Sequence, residues 1–169
     1  MIAEYHNFLT QDECSLLIGL GESGALNFGK TNGDKLGYRK AKVTWFDLNN
    51  QFVNNIKSKI SELSGLPIEN QEKFHFVKYN VSGEYKIHHD GLNRQKTAVI
   101  YLNDGFQGGE TVFPKVDRVV KPETGKLVIW NNYDEDGLKI EESRHAGLPV
   151  DFGTKYIAVI WIRNTKYEE

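Results

Sequence analysis

Apolar and polar positions are arranged differently in the two halves of the chain. From Phe74 onward they fall into short runs that alternate or are nearly continuous, at 74–81, 85–90, 96–103, 109–113, 117–121, 126–131, 140–146 and 154–163. Turn-forming residues separate them: Ser82-Gly83, Asn103-Asp104-Gly105, and the stretches 122–125 and 151–153. Short strands with such punctuation predict a sandwich or barrel. Before Phe74 the period is helical. Thr10 with Glu13 three residues later forms a capping box, followed by Leu16, Leu17 and Leu20 at helical spacing. Gly19, Gly21 and Gly24 are expected to break this helix soon after. In 51–63, Phe52, Val53, Ile56, Ile60 and Leu63 share one face, and Gly65 and Pro67 end the run. Residues 2–9 and 39–46 read as strands. The polar, glycine-rich stretch 29–38 reads as a mobile loop of the kind that serves as a lid.

Length narrows this to one domain, 1–169, with a core of its own. Aromatic residues at 12% and 16 glycines agree with a mainly β chain carrying flanking helices. The formal net charge of −2 gives no support to a nucleic-acid partner. The basic residues Lys35, Arg39, Lys40 and Lys42 read as a solvated loop. One cysteine, Cys14, excludes an intrachain disulfide and sits among helical leucines as a buried thiol. No apolar run reaches membrane-spanning length and no signal-peptide pattern opens the chain, so a soluble intracellular (cytoplasmic) protein with no membrane association is expected.

Candidate chemistry centres on His88-His89-Asp90. On a strand, residues i and i+2 point to one face, so His88 and Asp90 can converge while His89 points away. A distant histidine, His145, can complete a set of two imidazoles and one carboxylate, which suits non-haem Fe(II) with open positions. Lys155 follows ten residues later and can hold an anionic co-substrate. If the strands flanking the intervening turn pair antiparallel, His145 and Lys155 face the same interior. Alone, the triplet is weak evidence.

The surrounding strings are specific. They are Y-N-V-S-G-E-Y-K-I-H-H-D at 79–90, T-A-V-I-Y-L-N-D-G-F-Q-G-G-E-T-V-F-P at 97–114, K-P-E-T-G-K-L-V-I-W-N at 121–131, and R-H-A-G-L-P-V-D-F-G-T-K-Y-I-A-V-I-W at 144–161. With N-F-L-T-Q-D-E-C at 7–14, they resemble the compact, single-domain prolyl 4-hydroxylase branch of the 2-oxoglutarate/Fe(II) dioxygenases, over nearly the whole chain. The resemblance implies a double-stranded β-helix, a jelly-roll or cupin-like barrel, with the N-terminal helices packed outside. It implies Fe(II), 2-oxoglutarate and dioxygen, with ascorbate as a candidate reductant, and hydroxylation of a proline-containing peptide or protein with release of succinate and carbon dioxide. It assigns His88, Asp90 and His145 to the metal, and Lys155, Tyr79, Thr111 and Tyr101 to the co-substrate. Tyr85, Arg94, Trp161 and Arg39 fall on the substrate side. Arg163 stands where the family often has a histidine, and only Gly91-Leu92-Asn93 follows Asp90 where many relatives carry an insertion. Both departures lie on the substrate side, which leaves a non-prolyl substrate as the alternative within the same class. A non-catalytic metal- or peptide-binding module is a further alternative.

Overall fold

A computed structural model describes residues 1–29, 37–46 and 49–169, so most of the expected 29–38 lid lies outside the described residues. The elements are β1 (Ile2–Tyr5), α1 (Gln11–Ser23), β2 (Asn27–Phe28), β3 (Lys42–Trp45), α2 (Gln51–Ser64), β4 (His75–Tyr79), β5 (Tyr85–His88), β6 (Arg94–Tyr101), β7 (Gln107–Gly108), β8 (Thr111–Phe113), β9 (Arg118–Val120), β10 (Leu127–Asn131), β11 (His145–Gly147), β12 (Val150–Phe152) and β13 (Lys155–Arg163). A seven-stranded sheet in the order β1-β10-β6-β13-β4-β3-β2 faces a four-stranded sheet, β5-β11-β8-β9, and β12 pairs with β7.

Period-two alternation in the large sheet separates two cores. Phe74, Phe76, Ala98, Ile100, Leu127, Ile129, Ala158, Ile160 and Ile162 point to the helices, where Leu17, Val53, Ile56 and Ile60 meet them. Val77, Tyr79, Val99, Tyr101, Val128, Trp130, Ile157, Val159 and Trp161 point between the sheets, together with Phe113 and Val120. The site is built on that second face.

Both helices carry the predicted caps. The Thr10 hydroxyl accepts from the Glu13 amide at 3.1 Å, and the Glu13 carboxylate accepts from the Thr10 amide at 3.0 Å. Gly65 ends α2 at φ +71°, left-handed backbone that glycine adopts without strain. Of the glycines expected to break α1, Gly24 ends it as the C-cap, whereas the helix runs through Gly19 and Gly21 to Ser23. A Cβ on Gly21 would stand 2.3 Å from the Phe76 ring, so glycine there lets α1 settle on β4. Leu63, expected on the buried face of α2, is 40% exposed.

Two expectations near the site are corrected. The predicted strand 140–146 is a 3-10 turn at Glu141–Ser143, where the Ser143 hydroxyl donates to the Ile140 carbonyl, and strand begins only at His145. The strands carrying His145 and Lys155 do not pair with each other. β11 pairs with β5 and β8, and β13 with β4 and β6, so the two residues meet from opposite sheets. The interposed β12 uses the intervening residues to cross between them.

Candidate active site

His88 ends β5 and His145 begins β11, and the pair is in direct antiparallel register. Asp90 lies two residues beyond His88, just past the strand. His88 Nε2 is 3.5 Å from Asp90 Oδ1, and His145 Nε2 is 3.6 Å from Asp90 Oδ2. The three ligand-capable atoms lie within 4.8 Å of one another. Each ring is oriented from behind: His88 Nδ1–H donates to the Lys86 carbonyl at 2.7 Å, and His145 Nδ1–H to the Ser143 carbonyl at 2.8 Å. Both Nε2 lone pairs are thereby left facing the carboxylate, the arrangement a divalent metal requires. His145 is pushed down to about 4 by burial, against the opposing pull of Asp90, so its imidazole is neutral near pH 7. Burial alone would raise Asp90. His145 and His88, together with the Thr97 hydroxyl, overcome this and hold it well below the usual carboxylate range. The donor set and its orientation fit Fe(II), with one side of the triad open to the cavity.

Behind Asp90 stands a buried polar chain. Thr97 donates to Asp90 Oδ2 at 2.7 Å, and Asn132 Nδ2 donates to Thr97 Oγ1 at 2.9 Å. Asn132 also donates to the Arg94 carbonyl at 3.1 Å and accepts from Trp130 Nε1 at 3.0 Å. Asn132 is fully buried and Thr97 is 1% exposed. Neither was singled out in the sequence. The available signal was a polar residue at an inward position of an otherwise apolar strand, in phase with Val99 and Tyr101. His89 points away as pleat geometry predicts, its Nε2 2.9 Å from the Asn132 carbonyl and its ring against Tyr133.

Lys155 lines the same cavity from β13, opposite Tyr79 in the β13–β4 register. It is 2% exposed, and among the described residues no carboxylate forms an ion pair with it. Its ammonium donates to the Gly109 carbonyl at 2.7 Å and lies 4.9 Å from the Tyr79 ring centre. Burial pushes it down to about 8, with Glu110 pulling weakly the other way. A Cβ on Gly109 would press on Lys155 Cδ at 3.1 Å and on Phe106 at 2.9 Å, so glycine there leaves room for the lysine stem. Thr111 lines the cavity, whereas Tyr101 is fully buried behind it, with its hydroxyl bonded to Thr111.

On the open side, the Tyr85 ring stacks on His88 at 3.6 Å and 17°. Trp161 lines the wall, with its indole N–H buried and unpartnered. Arg39, read from the sequence both as part of a solvated basic stretch and as a substrate-side residue, lines the cavity beside Tyr79, with its guanidinium 5.0 Å from the Tyr85 ring centre. Arg94 and Arg163 are not cavity-lining. Both grip Glu72: Arg94 through two bonds of 2.9 Å, and Arg163 through one of 2.8 Å. Arg94 also lies 3.7 Å above the Trp161 ring.

A model described as the 2OG-Fe(II) oxygenase superfamily matches residues 74–163. A provisionally named prolyl 4-hydroxylase of Acanthamoeba polyphaga mimivirus is 28% identical over 96% of this chain and 74% of its own length. The prolyl 4-hydroxylase subunit alpha-1 of Bos taurus is 32% identical over 78% of this chain, which spans only 27% of that subunit. Among solved structures, a viral collagen prolyl hydroxylase from Paramecium Bursaria Chlorella virus-1, in a 2OG complex, superposes with a TM-score of 0.81. It is 28% identical over 97% of this chain and 96% of that one. That fold, with the matched segment spanning β4 to β13 and all of the metal-capable residues, establishes that the chain belongs to the 2OG-Fe(II) oxygenase superfamily.

Proposed function

We propose that this protein is an Fe(II)- and 2-oxoglutarate-dependent dioxygenase that hydroxylates prolyl residues in a peptide or protein, with succinate and carbon dioxide as co-products. The observation that carries the reading is one cavity holding His88, Asp90 and His145 at one side and, at another, a buried ammonium, Lys155, without a carboxylate partner among the described residues. Iron held by the triad would supply dioxygen activation coupled to decarboxylation of the keto acid. Ascorbate is the proposed external reductant.

The chain's own residues divide the remaining work. Lys155 binds the distal carboxylate of 2-oxoglutarate as a charge-assisted pair in a site shielded from water. Thr111, fixed by the Tyr101 hydroxyl, and Tyr79, fixed by Arg39, line its path. Thr97 and Asn132 hold the Asp90 carboxylate in place. Tyr85 and Trp161 offer flat apolar walls for a pyrrolidine ring, and Val99, Ile157 and Val159 keep the interior dry. Arg94 and Arg163 serve on the rim, held by Glu72, where they present the peptide side of the site.

The test is incubation with a proline-containing peptide and a proline-free control, with iron and 2-oxoglutarate. Gain of one oxygen on the first peptide only, with matching succinate, is expected. The same measurement on His88→Ala should show neither product, and full turnover by that variant would sink the assignment.

A further inference from the structure

The charges around the cavity are unevenly distributed. In its inner part, a divalent ion with Asp90 and a dianionic co-substrate with Lys155 would balance to zero. Glu110 acts electrostatically on Lys155 but does not line the cavity. The outer part does not balance. Arg94 and Arg163 share the single carboxylate of Glu72. Arg39 lines the cavity and pairs with no carboxylate among the described residues, and its Nε is buried without a partner. The nearby Lys40 and Glu84 neutralise each other at 3.8 Å. Among the described residues, the three guanidiniums of Arg39, Arg94 and Arg163 around the site are therefore matched by one carboxylate, Glu72, in a chain whose overall net charge is −2.

Arg39 is also placed by backbone. It forms an antiparallel bridge with Tyr85, the residue stacked on His88. Its guanidinium stands over the Tyr85 ring and against the Tyr79 hydroxyl, so the two aromatic side chains hold it in the cavity wall beside the metal-capable triad. Partly buried guanidiniums favour carboxylates, which they can meet with two parallel hydrogen bonds. We infer that the preferred substrate carries a carboxylate side chain within one or two residues of the reacting proline, and that Arg39 receives it. An extended peptide advances about 3.3–3.6 Å per residue, so a neighbouring acidic side chain can reach the wall while the proline rests on Tyr85. This inference rests on the prolyl reading above and adds a substrate class to it.

The test uses paired proline peptides that differ only by Glu against Gln immediately before, and then immediately after, the target proline. Binding is read by fluorescence anisotropy on protein loaded with Mn(II) and 2-oxoglutarate, and oxygen gain by mass spectrometry on the Fe(II) enzyme. One of the acidic peptides should bind about tenfold or more tightly than its neutral twin. That advantage should shrink as ionic strength rises from about 0.01 M to about 1 M, because screening shortens from about 30 Å to about 3 Å. Arg39→Gln should bring the two affinities together, and Arg39→Lys should restore part of the difference. Equal binding of both pairs by the wild type overturns the inference, as does an acid preference that survives Arg39→Gln. The prolyl reading fails separately, when peptides that bind receive no oxygen.

Discussion

Lys155→Met separates the cost of burying a charge from its use. In the ligand-free protein the ammonium is buried, and its pKa falls from 10.5 to about 8. That fall corresponds to about 3 kcal/mol of unfavourable free energy for the charged form near neutral pH. The sign follows from proton counts. Between pH 8 and 10.5 the unfolded chain holds this proton and the folded chain has released it, so the ligand-free protein gains stability across that window. Methionine removes the charge, but it also leaves the Gly109 carbonyl without its donor, at about 1–3 kcal/mol. The two effects nearly cancel, and ligand-free stability near neutral pH should stay within about 2 kcal/mol of wild type. Co-substrate binding has no such compensation. Removing one partner of a buried ion pair costs about 3–5 kcal/mol, which is roughly two to four powers of ten in affinity. Isothermal titration of Mn(II)-loaded protein with 2-oxoglutarate reads this directly, with denaturant unfolding as the control. The wild-type affinity should also decline above pH 8, by up to about tenfold per unit, as the free ammonium loses its proton. The variant should be flat over the same range. A loss of less than tenfold in Lys155→Met, or an unchanged pH profile, would refute this role for the lysine.

Three further outcomes are expected. Thr97→Val removes the hydroxyl that holds Asp90 while keeping the side chain's shape, so Co(II) or Mn(II) affinity should fall about 10–100-fold with a stability change of about 1–2 kcal/mol; unchanged metal affinity would show that Asp90 needs no such support. Gly125 sits at φ +82°, and an added Cβ would stand 2.1 Å from the Leu9 carbonyl oxygen, so Gly125→Ala should lose at least about 2 kcal/mol in urea unfolding. Cys14 is buried and burial pushes its thiol up to about 11, so thiol reagents should modify it only on unfolding, and rapid labelling of the native protein would contradict its placement.

Much of the fold was legible because its signals are local. The cap at Thr10, the apolar face from Val53 to Ile60, and the turns at Ser82-Gly83 and Gly105 depend on residues a few positions apart. Errors arose where a distant contact overrode the local preference. Gly21 remains helical because α1 packs on Phe76, and 140–146 turns because the chain must deliver His145 to the start of β11. For Arg39 the charge pattern suggests a solvated cation and the family resemblance a substrate-side residue, and the bridge to Tyr85 places it in the wall.

The sequence alone determined the residue types and order of the site, since two imidazoles, a carboxylate and a lysine at those spacings restrict the chemistry before any coordinates exist. It also determined which strand positions face inward, because pleating fixes that alternation. Tertiary structure decided what depends on residues far apart in the chain. It brought His145 and Lys155 together from opposite sheets, and it supplied Thr97 and Asn132 behind Asp90. It also tied Arg94 and Arg163 to Glu72 while leaving Arg39 without a carboxylate partner among the described residues. Hydrogen bonds and ion pairs between such residues leave no periodic trace in a sequence, because each partner is chosen by how the sheets close on one another.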